Sequence, residues 1–184
     1  MASPEQRRAL QHALEFTPVG ENKDSIHLIS QGVSELTEEF NPDIEETHYI
    51  ADKNGTTNIK RYAMTVPLTM EYIDDDKVCK FIRDRAMKMS TGSDAEVKYI
   101  RFSILDKETT PEGKTGNYYT AYKYNASVSV SSMGGAGEDF LGIEAQLNLH
   151  GDPIEGKIIV TEGDTKTYTF TPDSTSSTTS GTGT

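Results

Sequence analysis

Apolar and polar positions alternate along most of this chain with a period of two, the spacing of an extended strand whose side chains point to opposite faces. The clearest run puts Tyr62, Met64, Val66, Leu68, Met70 and Tyr72 on one face and Arg61, Ala63, Thr65, Pro67, Thr69 and Glu71 on the other. It predicts one long strand over residues 60–72. Pro67 has no N–H to give a ladder, so that strand is expected at a sheet edge or with a bulge. A second strand is expected over 118–133, where Tyr122, Tyr124, Ala126, Val128 and Val130 alternate with polar residues. Leu141, Ile143, Ala145, Leu147 and Leu149 mark a third. Ile100, Phe102 and Ile104 oppose Val97, Tyr99 and Leu105, apolar on both faces as a central strand requires. Shorter strands are expected near residues 26–30 and 47–51, and a final hairpin pairs 157–160 with 166–170 across Glu162-Gly163-Asp164. Asn54-Gly55, Gly134-Gly135-Ala136-Gly137 and Gly151-Asp152-Pro153 read as turns.

One segment changes period. Val78, Phe81, Ile82 and Met89 recur at helical spacing, with Asp74, Asp75 and Asp76 at the start and Lys80, Arg83, Arg85 and Lys88 later, as the helix dipole favours. The helix is expected over about 74–90, closed by Gly92. At the N-terminus, Ser3, Pro4 and Gln6 suit the start of a short helix, and Leu10, Ala13, Leu14 and Phe16 would share a face before Pro18 and Gly20. The same residues read equally well as a free arm. The end differs in kind: ten of the fourteen residues of TPDSTSSTTSGTGT are Ser or Thr, a tract with nothing to bury and expected to be disordered. The organisation expected is an arm over 1–24, a β-rich domain over 25–170 and a disordered tail over 171–184.

Composition narrows the chemistry. Hydrophobic residues make up 34% of the 184 positions, and the mean hydropathy is -0.58, so a private core would be thin. Eighteen basic residues against 29 acidic give a net charge of -11, which opposes tight phosphate binding. The acid is concentrated: residues 33–53 hold seven carboxylates against one lysine, and 137–164 hold seven against Lys157. Glu35, Glu38, Glu39, Glu138, Asp139 and Glu144 belong to these two stretches. Cys79 is the single cysteine, which excludes an internal disulfide and a Cys-rich zinc module. No run is apolar enough to span a bilayer as a helix, and the N-terminus lacks a signal-peptide pattern.

No constellation builds an active site. Gly113-Lys114-Thr115 lacks the upstream glycine of a phosphate loop, since position 108 is Glu108. Asp74, Asp75 and Asp76 read as helix capping before cation binding, and Asp52-Lys53-Asn54-Gly55 lacks the ligand spacing of a calcium loop. His12, His27, His48 and His150 are scattered. Asn54-Gly55-Thr56 and Asn125-Ala126-Ser127 match the glycosylation pattern, which means little without an export signal. The expectation is a protein without enzymatic activity, catalytic residues, cofactor or metal.

Three stretches carry a resemblance: SQGVSELTEEFNPDIEETHYIADKNGTT, YAMTVPLTMEYIDDDKVCKFIRDRAMK, and YKYNASVSVSSMGGAGEDFLGIEAQLNLHGDPIEGKI with its SVSS-x-GG turn and closing GDP-x-EG. Together they resemble the major tail proteins, or tail tube proteins, of long-tailed bacteriophages of Gram-positive hosts, over roughly residues 26–170. The resemblance implies a mainly β, sandwich or barrel-forming tail tube fold with one flanking helix. It implies subunits that form hexameric rings by joining sheet edges, stacked into a hollow tube. Strands 60–72 and 118–133 are the expected barrel wall. Implied partners are further copies of the chain, the tail tip initiator, the tape measure and the tail terminator. DNA would pass through a negatively lined lumen without specific binding, and no membrane is involved. Assembly would take place in the host cytoplasm and the product would reside in the virion. Two other readings stand beside it: a β-sandwich binding module of adhesin or carbohydrate-binding type, with Tyr118, Tyr119, Tyr122 and Tyr124 as a platform, and a head or head-to-tail completion protein.

Overall fold

The computed structural model describes residues 7–48, 55–163 and 165–173. Along them run β1 (Leu10–Phe16), β2 (Ser25–Leu28), β3 (Val33–Leu36), β4 (Pro42–Thr47), β5 (Thr56–Tyr62), β6 (Thr65–Glu71), α1 (Lys77–Lys88), β7 (Glu96–Glu108), β8 (Asn117–Gly134), β9 (Gly142–Thr161) and β10 (Thr167–Pro172). The protein is mainly β with one α-helix among the described residues, as its alternation predicts. The chain forms two compact units, one from residues up to 30 with 97–125 and 151 onward, the other from 31–96 and 126–150.

In the first unit β1 lies between β2 and β7, the first part of β8 follows β7, and β10 pairs with the second part of β9. β10 also comes alongside β2. Ala13, Ile26, Ile100, Phe102, Ala121 and Ile158 form a buried cluster, so every strand but β10 supplies a core residue, and β10 adds Tyr168 and Phe170 at its margin. Burying one such large side chain stabilises the fold by about 1.5–3 kcal/mol.

The N-terminal segment corrects the helix expected there: residues 10–16 are strand β1. The reason lies in where the strand sits. With a neighbour on each side and both faces buried, His12, Ala13, Leu14 and Phe16 are all inaccessible, and consecutive apolar positions imitate a helical stripe. Gly151 also differs from expectation. It lies inside the continuous strand β9 with φ +73, where a turn was expected. The final hairpin forms with the expected residues, but β10 runs on through Thr171 and Pro172, opposite Lys157 and Gly156, into residues assigned to the tail. The strand expected near 47–51 lies earlier, as β4, which ends at Thr47; residues 1–6 with Ser3, Pro4 and Gln6, 49–54 with Asn54, and 174–184 lie outside the described part.

In the second unit, β6 lies between β9 and β3, and the later part of β8 continues beyond β9. Its apolar face holds Leu36, Val66, Leu68, Met70, Val128, Ile143, Ala145 and Leu147, all buried, with Val78, Cys79, Phe81 and Ile82 of α1. The Asp76 side chain caps α1 by accepting from the Cys79 N–H at 2.8 Å. Met89, left-handed at φ 47, ends the helix, whereas the expected stop, Gly92, opens a short 3-10 turn. The Cys79 Sγ lies 3.6 Å from the Gln31 carbonyl and 3.8 Å from that of Glu71, which ties the helix to the start of β3 and the end of β6.

The expected long strand over 60–72 is two strands. β5 pairs only with β4, in a separate two-stranded sheet, and β6 begins at Thr65. Asn41, at φ 42, holds the switch: its carbonyl accepts from the Ala63 N–H at 3.1 Å and its side-chain amide donates to the Ala63 carbonyl at 3.2 Å. Alternation runs unbroken across the switch, so the pattern carries no sign of it. Pro67 corrects the edge expectation, since β6 has β9 on one side and β3 on the other. Its carbonyl accepts from the Thr37 N–H at 3.2 Å, just past the end of β3. Its missing donor faces the same side, because the two groups of one antiparallel residue point to the same neighbour.

Two predictions follow from these contacts. A chain ending after Asp173 should melt near the full-length temperature, whereas one ending after Lys166 loses Tyr168 and Phe170 and should be destabilised by about 2–5 kcal/mol, measured by denaturant unfolding. The Cys79 thiol is pushed up to about 11 by burial. It therefore stays protonated when folded while the unfolded chain ionises first, and stability should fall as pH rises from about 9 towards 11. Cys79→Ala should lose that slope, and the native thiol should resist alkylation at pH 8 until denaturant is added.

Candidate assembly surface

The second unit turns a polar face outward opposite its buried one. Because side chains alternate, the residues between Val66, Leu68 and Met70 are Thr65, Pro67, Thr69 and Glu71, and those between Ile143, Ala145 and Leu147 include Glu144 and Gln146. Strand register arranges them in rows across the sheet. One row runs Glu35, Thr69, Glu144, with the Ser131 hydroxyl donating to the Glu144 carbonyl at 3.1 Å and the Ser132 hydroxyl to its Oε2 at 3.0 Å. The next runs Thr37, Pro67, Gln146, with the Ser129 hydroxyl on the Gln146 carbonyl at 3.3 Å. The third joins Glu39, Thr65 and Asn148; Thr65 donates to Glu39 Oε2 at 3.1 Å and the Asn148 amide to Ser129 Oγ at 3.1 Å. The result is a shallow concavity of about 490 Å³ walled by hydroxyls, amides and three carboxylates.

Of the six acidic residues singled out in the sequence, Glu35, Glu39 and Glu144 line this wall. Glu38 is half-buried and lies off it, while Glu138 and Asp139 are exposed in the connection between β8 and β9, where the Asp139 N–H bonds the Ala136 carbonyl at 3.0 Å. The seryl, threonyl and amide residues of the wall were not singled out. Their signal was present as the polar half of each alternation, but which strands would lie side by side was not.

The wall ends at a strand edge on the β3 side. Among the described residues, no strand pairs with the outer side of β3. At the other end lies the later part of β8, whose Ser131 and Ser132 hydroxyls bond Glu144 of β9. Beside this stretch a groove of about 420 Å³ is lined by Val130, Met133 and the helix end at Arg85, Ala86 and Met89. Unpaired edges carry free backbone donors and acceptors and are normally blocked. Gly32 sets the position of β3. At φ +71 its carbonyl accepts from the Glu71 N–H at 2.8 Å, and an added Cβ would come within 2.3 Å of the Glu71 carbonyl.

The remaining candidates resolve into structural roles. Gly113, at φ +73, sits in a turn where the Lys114 N–H bonds the Pro111 carbonyl at 3.1 Å. Asp74 accepts from the Tyr72 hydroxyl at 2.7 Å, which raises that phenol above its ordinary value. Among the described residues no group of three His, Cys, Asp or Glu side chains is placed to hold a metal. His12 is buried, with Nδ1 2.5 Å from the Tyr99 hydroxyl; His27 meets Ser25 at 2.8 Å. Glu108 pairs with Lys157 and accepts from Thr120 at 2.9 Å, which lowers its carboxyl and raises the ammonium. The four tyrosines do not form an exposed platform: Tyr118 and Tyr124 are buried, Tyr119 packs on Phe102, and the Arg101 guanidinium covers Tyr122 at 5.5 Å.

No family model matches the chain, and no curated protein matches it. Among solved structures, a chain of the anti-feeding prophage (AFP) baseplate, a 6-fold symmetrised cryo-EM structure, is similar over 84% of this chain and 97% of that one, with a TM-score of 0.46 and 10% identity. A likeness at that level carries no functional weight.

Gly32→Ala should detach β3 from β6, because both the left-handed backbone and the space at the Glu71 carbonyl are lost. A destabilisation of at least about 1–3 kcal/mol is expected, with faster hydrogen exchange at the Glu71 amide, read by NMR or mass spectrometry.

Proposed function

We propose that the chain is a structural protein of a phage-type tail, polymerising as stacked rings into a tube through which DNA passes. The observation that carries this reading is the polar wall bordered by β3, whose outer side no strand among the described residues pairs with. Within the second unit β8, β9, β6 and β3 alternate in direction, so β3 of one copy meets the end of β8 of the next as an antiparallel neighbour. Such a contact joins two different patches, and a head-to-tail contact of that kind closes into a ring when the rotation allows. The sequence resemblance supports six copies per ring, and supports a tail tip, tape measure and terminator as further partners.

In the closed ring each copy presents Glu35, Glu39 and Glu144 to the lumen and keeps α1 on the opposite side of the sheet. Carboxylates on a low-dielectric wall focus a negative potential into the channel, which repels phosphates and keeps the strand from adhering. The hydroxyls and amides between them hold the wall hydrated without adding positive charge. The role assigned is mechanical and electrostatic, not enzymatic.

Negative-stain microscopy of concentrated full-length protein should reveal rings or tubes; a compact monomer at every concentration, even with a tail-tip nucleator, overturns the reading. Tubes carrying Glu35→Lys, Glu39→Lys and Glu144→Lys should still assemble but retard DNA, more strongly at low salt. Equal passage at low salt would remove the lumen from the account.

A further inference from the structure

His12 is a titratable side chain buried in the first unit, 3% exposed, on the strand that joins β2 to β7. Alternation puts it on the face of β1 opposite Ala13, and so away from the cluster that Ala13 forms with Ile100 and Phe102. The neighbouring strands present aromatic and cationic groups to it. On β7, the hydroxyl of the fully buried Tyr99 lies 2.5 Å from His12 Nδ1, and Arg101 lies directly opposite His12 in the pairing of β1 with β7. The Arg101 guanidinium rests over Tyr122 and Tyr124 of β8 at 5.5 and 5.4 Å, and the Tyr124 ring packs 6.3 Å from that of Tyr99. On β2, His27 lies opposite Leu14 and so shares this face, packed 5.2 Å from the Phe16 ring and bonded to Ser25 at 2.8 Å. Just past β2, the Ile29 N–H donates to the His12 carbonyl at 2.8 Å.

The titratable groups that these strands turn towards His12 are thus three phenols, one guanidinium and a second imidazole. A proton on His12 is costly there for two reasons. It creates charge out of reach of water, and it sets a second cation directly across from Arg101, where like charges on paired strands repel. A proton on His27 would add a third positive charge to the same face.

We propose that His12 is an acid-sensitive latch: as the neutral imidazole it holds the β1–β2 strand pair on β7, and its protonation in mild acid releases that pair from the first unit. The unfolded chain takes up this proton near the free-histidine value of about 6.5, while the folded chain takes it up only at lower pH. The stability of the contact is therefore full above about pH 6.5 and falls below it. The opening is local because β1 is the strand through which β2 joins the sheet. A histidine whose charge opposes a packed contact is the usual chemistry of a pH-responsive element. The latch belongs to the first unit and stands apart from the tube reading, which rests on the second.

Hydrogen exchange of the full-length protein, followed by mass spectrometry and corrected for the intrinsic rate, tests it. Peptides covering residues 10–28 should exchange about ten- to thirtyfold faster at pH 5 than at pH 7.5, while those covering 65–71 and 143–147 should change by less than about twofold. His12→Phe keeps a ring without a titrating nitrogen and should abolish the difference; Arg101→Gln should reduce it. Should His12→Phe fail to fold, NMR of the unaltered protein reads the His12 imidazole directly, and it should titrate below the value it has in the unfolded chain. A His12 that titrates at or above that value, an acid effect that survives His12→Phe, or equal loosening of both units overturns the latch.

Discussion

Everything in the second unit depends on the two-sidedness of β6. Its alternate residues Val66, Leu68 and Met70 are at most 2% exposed and build the core shared with α1, while Pro67 and Thr69 form the middle of the polar wall and Thr65 bonds Glu39 at its end. A one-residue slip in its pairing with β9 would exchange the two sets and put hydroxyls in the core, so the hydrophobic face fixes the register. The same register places Glu35 and Glu144 on either side of Thr69. Burial on one side thus determines the chemistry on the other.

The polar wall has a second organising feature in its hydrogen bonds. Serines of β8 donate to backbone and side chains of β9, and Thr65 accepts from the Asn41 amide at 3.1 Å while donating to Glu39. Asn41 therefore serves both the wall and the switch at Ala63 that frees β5 from β6. Without that switch the chain would continue as one long strand, and the exposed hairpin would not exist. The low apolar content of the chain agrees with this arrangement.

Charge is divided within that unit more sharply than the net value suggests. Glu35, Glu39 and Glu144 fall on the wall, the β4–β5 pair mixes Asp43 and Glu45 with Arg61 and Lys60, and five basic residues lie on α1. Separation of this kind favours contacts between unlike patches over contacts between like ones, since like charges in apposition are costly.

The sequence by itself determined the strands around 66–70, 97–105, 118–133 and 143–149, the helix, the closing hairpin and the acidic stretches, because each is written in local periodicity, capping and composition. Val66 to Met70, Asp76 at the helix start and the pairing of β9 with β10 were legible for that reason. Only the tertiary structure decided that residues 10–16 are a strand, since a strand buried on both faces loses its alternation and imitates a helix. It alone split residues 60–72 between two sheets, since the alternation passes through Ala63 undisturbed and the switch is made by Asn41, twenty-two residues earlier. It alone selected Glu35, Glu39 and Glu144 from the acidic residues, because lying on one face is a matter of which strands become neighbours, and that is fixed by long-range pairing that no local pattern encodes.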